Sequence, residues 1–295
     1  MCGRYASFRE AQDLTDAFAV EPDDVAEDAR LLPPSFNVAP TDAVRVVVER
    51  VPRAAGDSAD PAPAPQAPER SLRLARWGLV PGWAKDPSVG SRMINARVES
   101  LADKPAFRKA LVARRCLVPA EGYFEWQKPP PDAAPRTPKQ PYWIHRPDGG
   151  PVAFAGLYEF WRDPERDDDD PHRWLVSMTI VTGGAPTDDP ALGAIHDRRP
   201  VILDPSVWKE WLDPHRTDPT EAVDLLLAPA PPLVATPVST AVNKVGTNGP
   251  ELIEPVELTQ PLERAQRLER AQRLPRAQPL ERAQPLPRAQ PAEPT

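Results

Sequence analysis

Proline restricts this chain more than any other residue: 42 of 295 positions carry a ring that fixes φ and removes a backbone donor. Regular structure must therefore be short and fall between the prolines. They crowd three places. Residues 52–70 (PRAAGDSADPAPAPQAPER) and 129–141 (PPPDAAPRTPKQP) read as extended surface insertions. The third is the end of the chain, where a six-residue unit repeats five times from Leu262 (LERAQR, LERAQR, LPRAQP, LERAQP, LPRAQP). Each unit offers one leucine, too little apolar surface to offset the entropy of ordering it. Residues 257–295 are therefore expected to be a disordered tail, and residues 2–256 one domain.

Between the insertions, β-branched and aromatic runs predict strands at 43–49, 72–77, 115–118, 123–127, 142–145, 152–156, 174–181 and 201–203. Apolar spacing predicts helices at 9–18, 107–113, 206–212 and 220–227. Many short strands with few helices imply an α+β fold, with a curved, mainly antiparallel sheet flanked by helices. An acidic run at 162–171 reads as a surface loop.

Charge and cysteine content narrow the function. The net charge of −7 argues against a protein that coats nucleic acid through bulk charge. Residues 257–295 carry seven Arg and five Glu, a net of +2 that leaves −9 on the rest, so any nucleic-acid site must be a local basic groove. Two cysteines, Cys2 and Cys116, are too few for a disulfide framework, and no apolar run is long enough to span a bilayer. A cytoplasmic protein with no membrane association is expected. The cysteines and four scattered histidines have no ligand spacing, so neither metal nor cofactor is expected.

The chemistry begins at the second residue. Initiator methionine is normally removed before a small residue, which would leave Cys2 with a thiol and a free α-amine on one carbon. The amine has an ordinary pKa near 8 and the thiol near 8.5, so both are partly nucleophilic at neutral pH. Such a pair attacks carbonyls and closes a five-membered ring on an aldehyde. Further polar residues stand in apolar or Gly/Pro-punctuated segments: Asn37 in SFNVAPT, Trp77 and Trp83 in RWGLVPGWAKD, Asn95 and Arg97 in MINARVES, Glu125 in EGYFEW, and His196 and Arg198 in AIHDRRPVIL. Cys116, inside RRCLVP, reads as a buried structural thiol. His145, His172 and His215 have no such context.

Together with MCGRY and the closing PVSTAVNKVGTNGPELIEPV, these segments resemble, in order and over residues 2–256, the SRAP (SOS response-associated peptidase) family. That family shields abasic sites in single-stranded DNA by covalent crosslinking. The resemblance implies that the Cys2 amine condenses with the abasic aldehyde and the Cys2 thiol closes a thiazolidine. An imine left uncaptured would undergo β-elimination, which is lyase activity. Glu125 carries over as general acid/base, His196 as proton donor to the sugar oxygen, and Asn95 as the group orienting the Cys2 end. Arg4, Arg97 and Arg198 carry over as phosphate contacts, Trp83 as a base-stacking aromatic, and Asn37 as a DNA-binding residue in a loop, with Pro40, that shapes the active site; Trp77 is read as core. The implied partner is abasic single-stranded DNA, recessed junctions included, bound by a monomer that joins the nucleoid when DNA-bound. The implied proteolysis is limited to removal of whatever precedes Cys2. Two other readings start from the same opening letters. Glutamine amidotransferases also begin Met-Cys-Gly, so an N-terminal-nucleophile amidohydrolase or peptidase is one alternative, although no glutamine-binding motif follows. A non-catalytic DNA-binding module is the other.

Overall fold

The computed structural model describes residues 2–52, 67–185 and 189–258; the repeats and most of the first insertion lie outside the described residues. Among the described residues, twelve strands fall in two sheets. The first joins β1 (Tyr5–Ser7), β2 (Ser35–Val38), β7 (Gly122–Gln127), β8 (Gln140–His145) and β12 (Val234–Pro237) in the order β12-β8-β7-β1-β2, every pairing antiparallel. The second contains β3 (Ala43–Arg50), β4 (Glu69–Trp77), β6 (Arg115–Ala120), β9 (Val152–Arg162) and β10 (Trp174–Gly184), which close on themselves because β10 pairs with both β4 and β9. Two short strands, β5 (Asn95–Arg97) and β11 (Arg198–Pro200), add to the exposed end of β10. The fold is thus α+β and mainly antiparallel as expected, but the curved sheet is a closed five-strand barrel plus a second sheet. Closure removes the open edges a curved sheet would leave.

Glu121 marks the corner where the chain leaves the barrel as β6 and enters the other sheet as β7. It is 6 % exposed, accepts the Phe8 N–H at 2.6 Å and pairs with Arg9 at 3.3 Å. Its own N–H donates to the Ala6 carbonyl at 3.0 Å, seating β1 against the corner. Cys116, buried as expected, faces Gly156 across the β6–β9 ladder. A Cβ on Gly156 would lie 2.7 Å from the Cys116 Sγ, so glycine is needed there for close approach.

Among the described residues are six short helices: α1 (Ala11–Phe18), α2 (Glu27–Leu31), α3 (Arg108–Ala113), α4 (Pro190–Ile195), α5 (Pro205–Leu212) and α6 (Pro219–Leu225); α4 lies against β7 and the other five over the barrel core. In α1, buried Ala11, Leu14, Thr15 and Phe18 make one stripe at helical spacing. Three helices start on the same Asp-Pro signal. Asp189, Asp204 and Asp218 accept N–H groups of the first turn, and the proline takes a position where no donor is needed. Two buried arginines fasten the helical layer through carbonyls. Arg115 donates to the Trp211, Leu111, Asp213 and Arg216 carbonyls, and Arg45 to those of Ala29, Arg9 and Leu32. The strand predicted at 201–203 is displaced: β11 takes residues 198–200, and Ile202 makes only an isolated bridge to Phe154. The backbone at 201–203 still bonds to the barrel, the Val201 N–H donating to the Val181 carbonyl and the Leu203 N–H to the Ala153 carbonyl, both at 2.9 Å.

Candidate active site at the N-terminal cysteine

Cys2 lies fully buried just ahead of β1. Asn95, on β5, donates from Nδ2 to the Cys2 carbonyl at 2.7 Å. This contact exists because β5 runs parallel to β10, with Asn95 opposite Ile180. The Asn95 Oδ1 is buried with no hydrogen-bond partner among the described residues, leaving an acceptor beside the cysteine. Burial raises the Cys2 thiol far above its ordinary pKa, and the nearby Glu125 carboxylate pushes the same way. The resting group is a thiol, not a thiolate.

Glu125 sits on β7 between Phe124 and Trp126 and is 4 % exposed. Burial raises its pKa above the usual carboxylate range. The His196 Nε2 stands 3.7 Å from the Glu125 Oε1. The other ring nitrogen, Nδ1, has two neighbours that imply different tautomers: the Arg198 N–H at 3.0 Å and the Asp197 Oδ1 at 2.9 Å. The Asp197 side chain is 89 % exposed and exchanges freely with water, so the backbone contact decides. Nδ1 is the acceptor, and the Nε2 proton faces Glu125. A bond from Gln127 to the Ala194 carbonyl at 3.3 Å ties the glutamate's strand to the helix that presents His196. Tyr123 completes the wall; burial raises its pKa too, so it stays a neutral phenol.

The expected DNA contacts divide. Trp83 is 65 % exposed at a Pro81–Gly82 turn, and the next residue is pinned by the Trp161 indole, which donates to the Ala84 carbonyl at 2.7 Å. Trp77 is fully buried and donates to the Ile94 carbonyl. Arg97 is exposed at the end of β5. Arg4, expected at a phosphate, instead donates to the Asn37 Oδ1 at 2.9 Å and the Val242 carbonyl at 3.0 Å. Asn37, expected on the DNA-binding face, is buried, and its Nδ2 lies within bonding distance of the Val242, Lys244 and Thr247 carbonyls. Its short carboxamide serves these carbonyls and Arg4 together, so it braces the loop. Arg198 is clamped by both oxygens of Glu99, at 2.9 and 3.1 Å, and by the Thr182 carbonyl at 2.8 Å. Missed from the sequence were the carbonyls of residues 242–247 that hold Arg4 and Asn37, and Arg199, which borders the same recess as Glu125 and His196. The doubled arginine in HDRRP was the available signal for the latter.

Among the described residues, no group of three or more His, Cys, Asp or Glu side chains is placed to hold a metal ion, and no helix is long and apolar enough to cross a membrane. What the arrangement offers is a buried cysteine at the start of the domain, an amide gripping its carbonyl, and a carboxyl–imidazole pair for proton transfer.

A barrel and second sheet meeting at an N-terminal cysteine agree with the comparison to known families: the SOS response associated peptidase (SRAP) model matches residues 1–245, and the chain belongs to that family. Relatives include proteins of bacteria and of a vertebrate. The chain is 37 % identical over 261 residues to the abasic site processing protein YoqW of Bacillus subtilis, covering 86 % of this chain and 99 % of that one. It is 32 % identical over 266 residues to YedK of Escherichia coli, covering 87 % and 100 %. It is 31 % identical over 247 residues to HMCES of Gallus gallus, covering 76 % and 67 %; both are likewise named abasic site processing proteins. A crystal structure of a protein from Bacteroides thetaiotaomicron shares the fold with a TM-score of 0.67 at 22 % identity, over 87 % of this chain and all of that one.

Proposed function

We propose that this chain processes abasic sites in DNA, and that it does so covalently through Cys2. The observation that carries the reading is the grip of Asn95 on the Cys2 carbonyl at 2.7 Å, which holds the cysteine beside the Glu125–His196 pair. The names of the relatives support the same substrate.

The chemistry requires that the bond before Cys2 be cut. The freed α-amine adds to C1′ of the ring-opened abasic sugar, and the carbinolamine loses water to give an imine. The thiol then adds to C1′: a carbon–sulfur bond forms, the C=N π pair becomes a lone pair, and the thiol proton ends on nitrogen. Amine, thiol and aldehyde thus become a thiazolidine and one water, with no oxidant or reductant. Because burial keeps Cys2 as a thiol, the addition needs a base, and Glu125 is the adjacent one. His196 supplies a proton to the sugar oxygen as the ring opens. Ring closure is intramolecular, so its high effective concentration lets capture outrun strand cleavage.

The substrates proposed are single-stranded DNA and recessed junctions, engaged by a monomer in the cytoplasm at the nucleoid. Proteolysis enters only as the cut that exposes Cys2. The test is Cys2→Ala with its α-amine confirmed free. It is expected to lose the heat-stable adduct while still forming an imine, trapped by borohydride and leaking into strand cleavage. A Cys2→Ala protein that keeps a heat-stable adduct would rule out the thiazolidine.

A further inference from the structure

We propose that Arg199 receives a DNA phosphate at the neck between the recess around Glu125 and a second, larger groove, the strand leaving the site along that groove. The inference deepens the abasic-site reading and rests on it for the identity of the ligand.

The groove encloses about 790 Å³. Gly183 and Gly184 line one side, and residues 226–233, rich in alanine and proline, line the other. Ala185, Leu192 and Arg199 border both the groove and the recess that holds Glu125 and His196. Arg199 is the one cation among these three.

Register explains why neighbouring arginines differ. β11 pairs with the end of β10, Arg198 opposite Gly184 and Arg199 opposite Gly183. Successive side chains on a strand leave it on opposite faces. Arg198 is turned to Glu99 and the Thr182 carbonyl, which take up its charge and donors. The Arg199 side chain makes no hydrogen bond or ion pair among the described residues. The carboxylates bordering the groove are already engaged: Glu99 holds Arg198, and Asp189 accepts the Ala191 and Leu192 N–H groups at 3.1 Å to cap α4. Arg199 is thus, among the described residues, the one cation lining the groove, and its guanidinium is the donor left over for an incoming anion, despite the acidic whole.

The rest of the lining suits a nucleic-acid strand. Cβ atoms placed on Gly183 and Gly184 would meet only Val201 at 3.6 Å and nothing within 4 Å, so no side chain obstructs that wall. Leu192, Val201 and Leu227 supply apolar surface for sugar and base faces. A guanidinium fork matches two phosphate oxygens, which an ammonium does not.

The experiment measures anisotropy of a labelled single-stranded oligonucleotide carrying one tetrahydrofuran abasic analogue, which has no aldehyde, across a salt series. Arg199→Ala is expected to weaken binding about fivefold at low salt and to flatten the log–log salt slope by about 0.7, the value of one phosphate contact on a single strand. Arg199→Lys is expected to keep the slope, and Arg166→Ala, which removes the same charge from the acidic hairpin, to match wild type. An unchanged slope in folded Arg199→Ala overturns the proposal. A parallel reaction of the Cys2-exposed protein with 2-deoxyribose and with 2-deoxyribose 5-phosphate separates the two levels. Loss of the wild-type preference for the phosphorylated sugar in Arg199→Ala supports the proposal, and retention of that preference contradicts it. If wild type forms no adduct with either sugar while the salt slope still depends on Arg199, the covalent reading fails and the phosphate site stands.

Discussion

Glu125 is held above the ordinary carboxylate range by its burial, and that shift has a stability consequence of definite sign. In the unfolded chain a glutamate ionises near pH 4.3. In the fold it ionises at a higher pH, so the native state loses stability as pH rises from the unfolded value through the folded one. Glu125→Gln removes that loss. Its Tm is expected to exceed wild type at about pH 7 and to coincide with it near pH 3.5, where both states are protonated. The same variant is expected to slow adduct formation by about 10²-fold or more, the usual scale for losing a general acid or base. A Tm gain without a loss of rate would show a buried glutamate with no catalytic part. Asn37 offers the opposite case. Asn37→Ala takes one acceptor from the Arg4 guanidinium, which keeps the Val242 carbonyl, and removes the donor facing the Lys244 and Thr247 carbonyls; it is expected to cost about 2–3 kcal/mol by thermal or urea unfolding. The sequence marked Asn37 as special but not why, because its partners are carbonyls more than 200 positions away.

At the scale of elements, the β6–β9 ladder is closed by one missing side chain. Gly156→Ala would drive a methyl into the Cys116 Sγ at 2.7 Å and the Val118 Cγ2 at 3.0 Å, an overpacking expected to cost about 1–3 kcal/mol. Adding Cys116→Ala is expected to recover part of that loss in a double-mutant cycle, since it removes the nearest atom. Strictly additive losses would mean that the backbone, not the thiol, sets the fit. The strands themselves were legible wherever β-branched runs were bounded by turn residues: 43–49 became Ala43–Arg50 and 142–145 became Gln140–His145. Less visible were β1, β5 and β11, three residues each, whose existence depends on the neighbour they pair with. β10 was foreseen only as far as 181. It runs on to Gly184 because β11 supplies the partner that a glycine pair would not hold alone.

Across the whole molecule, barrel closure brings the site together. Glu125 lies on β7 of the five-stranded sheet, Cys2 just ahead of β1 of that sheet, and Asn95 on a strand added to the barrel, so no local pattern placed them side by side. The motifs named the residues, and long-range pairing assembled them. Net charge is another whole-molecule property. With −7 overall, binding to abasic single-stranded DNA must work against the acidic surface and through a few arginines. Affinity is expected to fall steeply as salt rises, with a slope corresponding to a handful of phosphates at about 0.7 each. A flat salt dependence would mean that stacking on groups such as Trp83 dominates instead.

The central claim is that Cys2 captures an abasic aldehyde, and a denaturing gel with intact mass tests it most directly. Protein with Cys2 confirmed as its first residue is incubated with a single-stranded oligonucleotide bearing one abasic site. The expected product is a heat-stable band whose mass is protein plus DNA less one water, absent with intact-base DNA and with Cys2→Ala. A free Cys2 that yields no such band, or a band that persists in Cys2→Ala, would contradict the account.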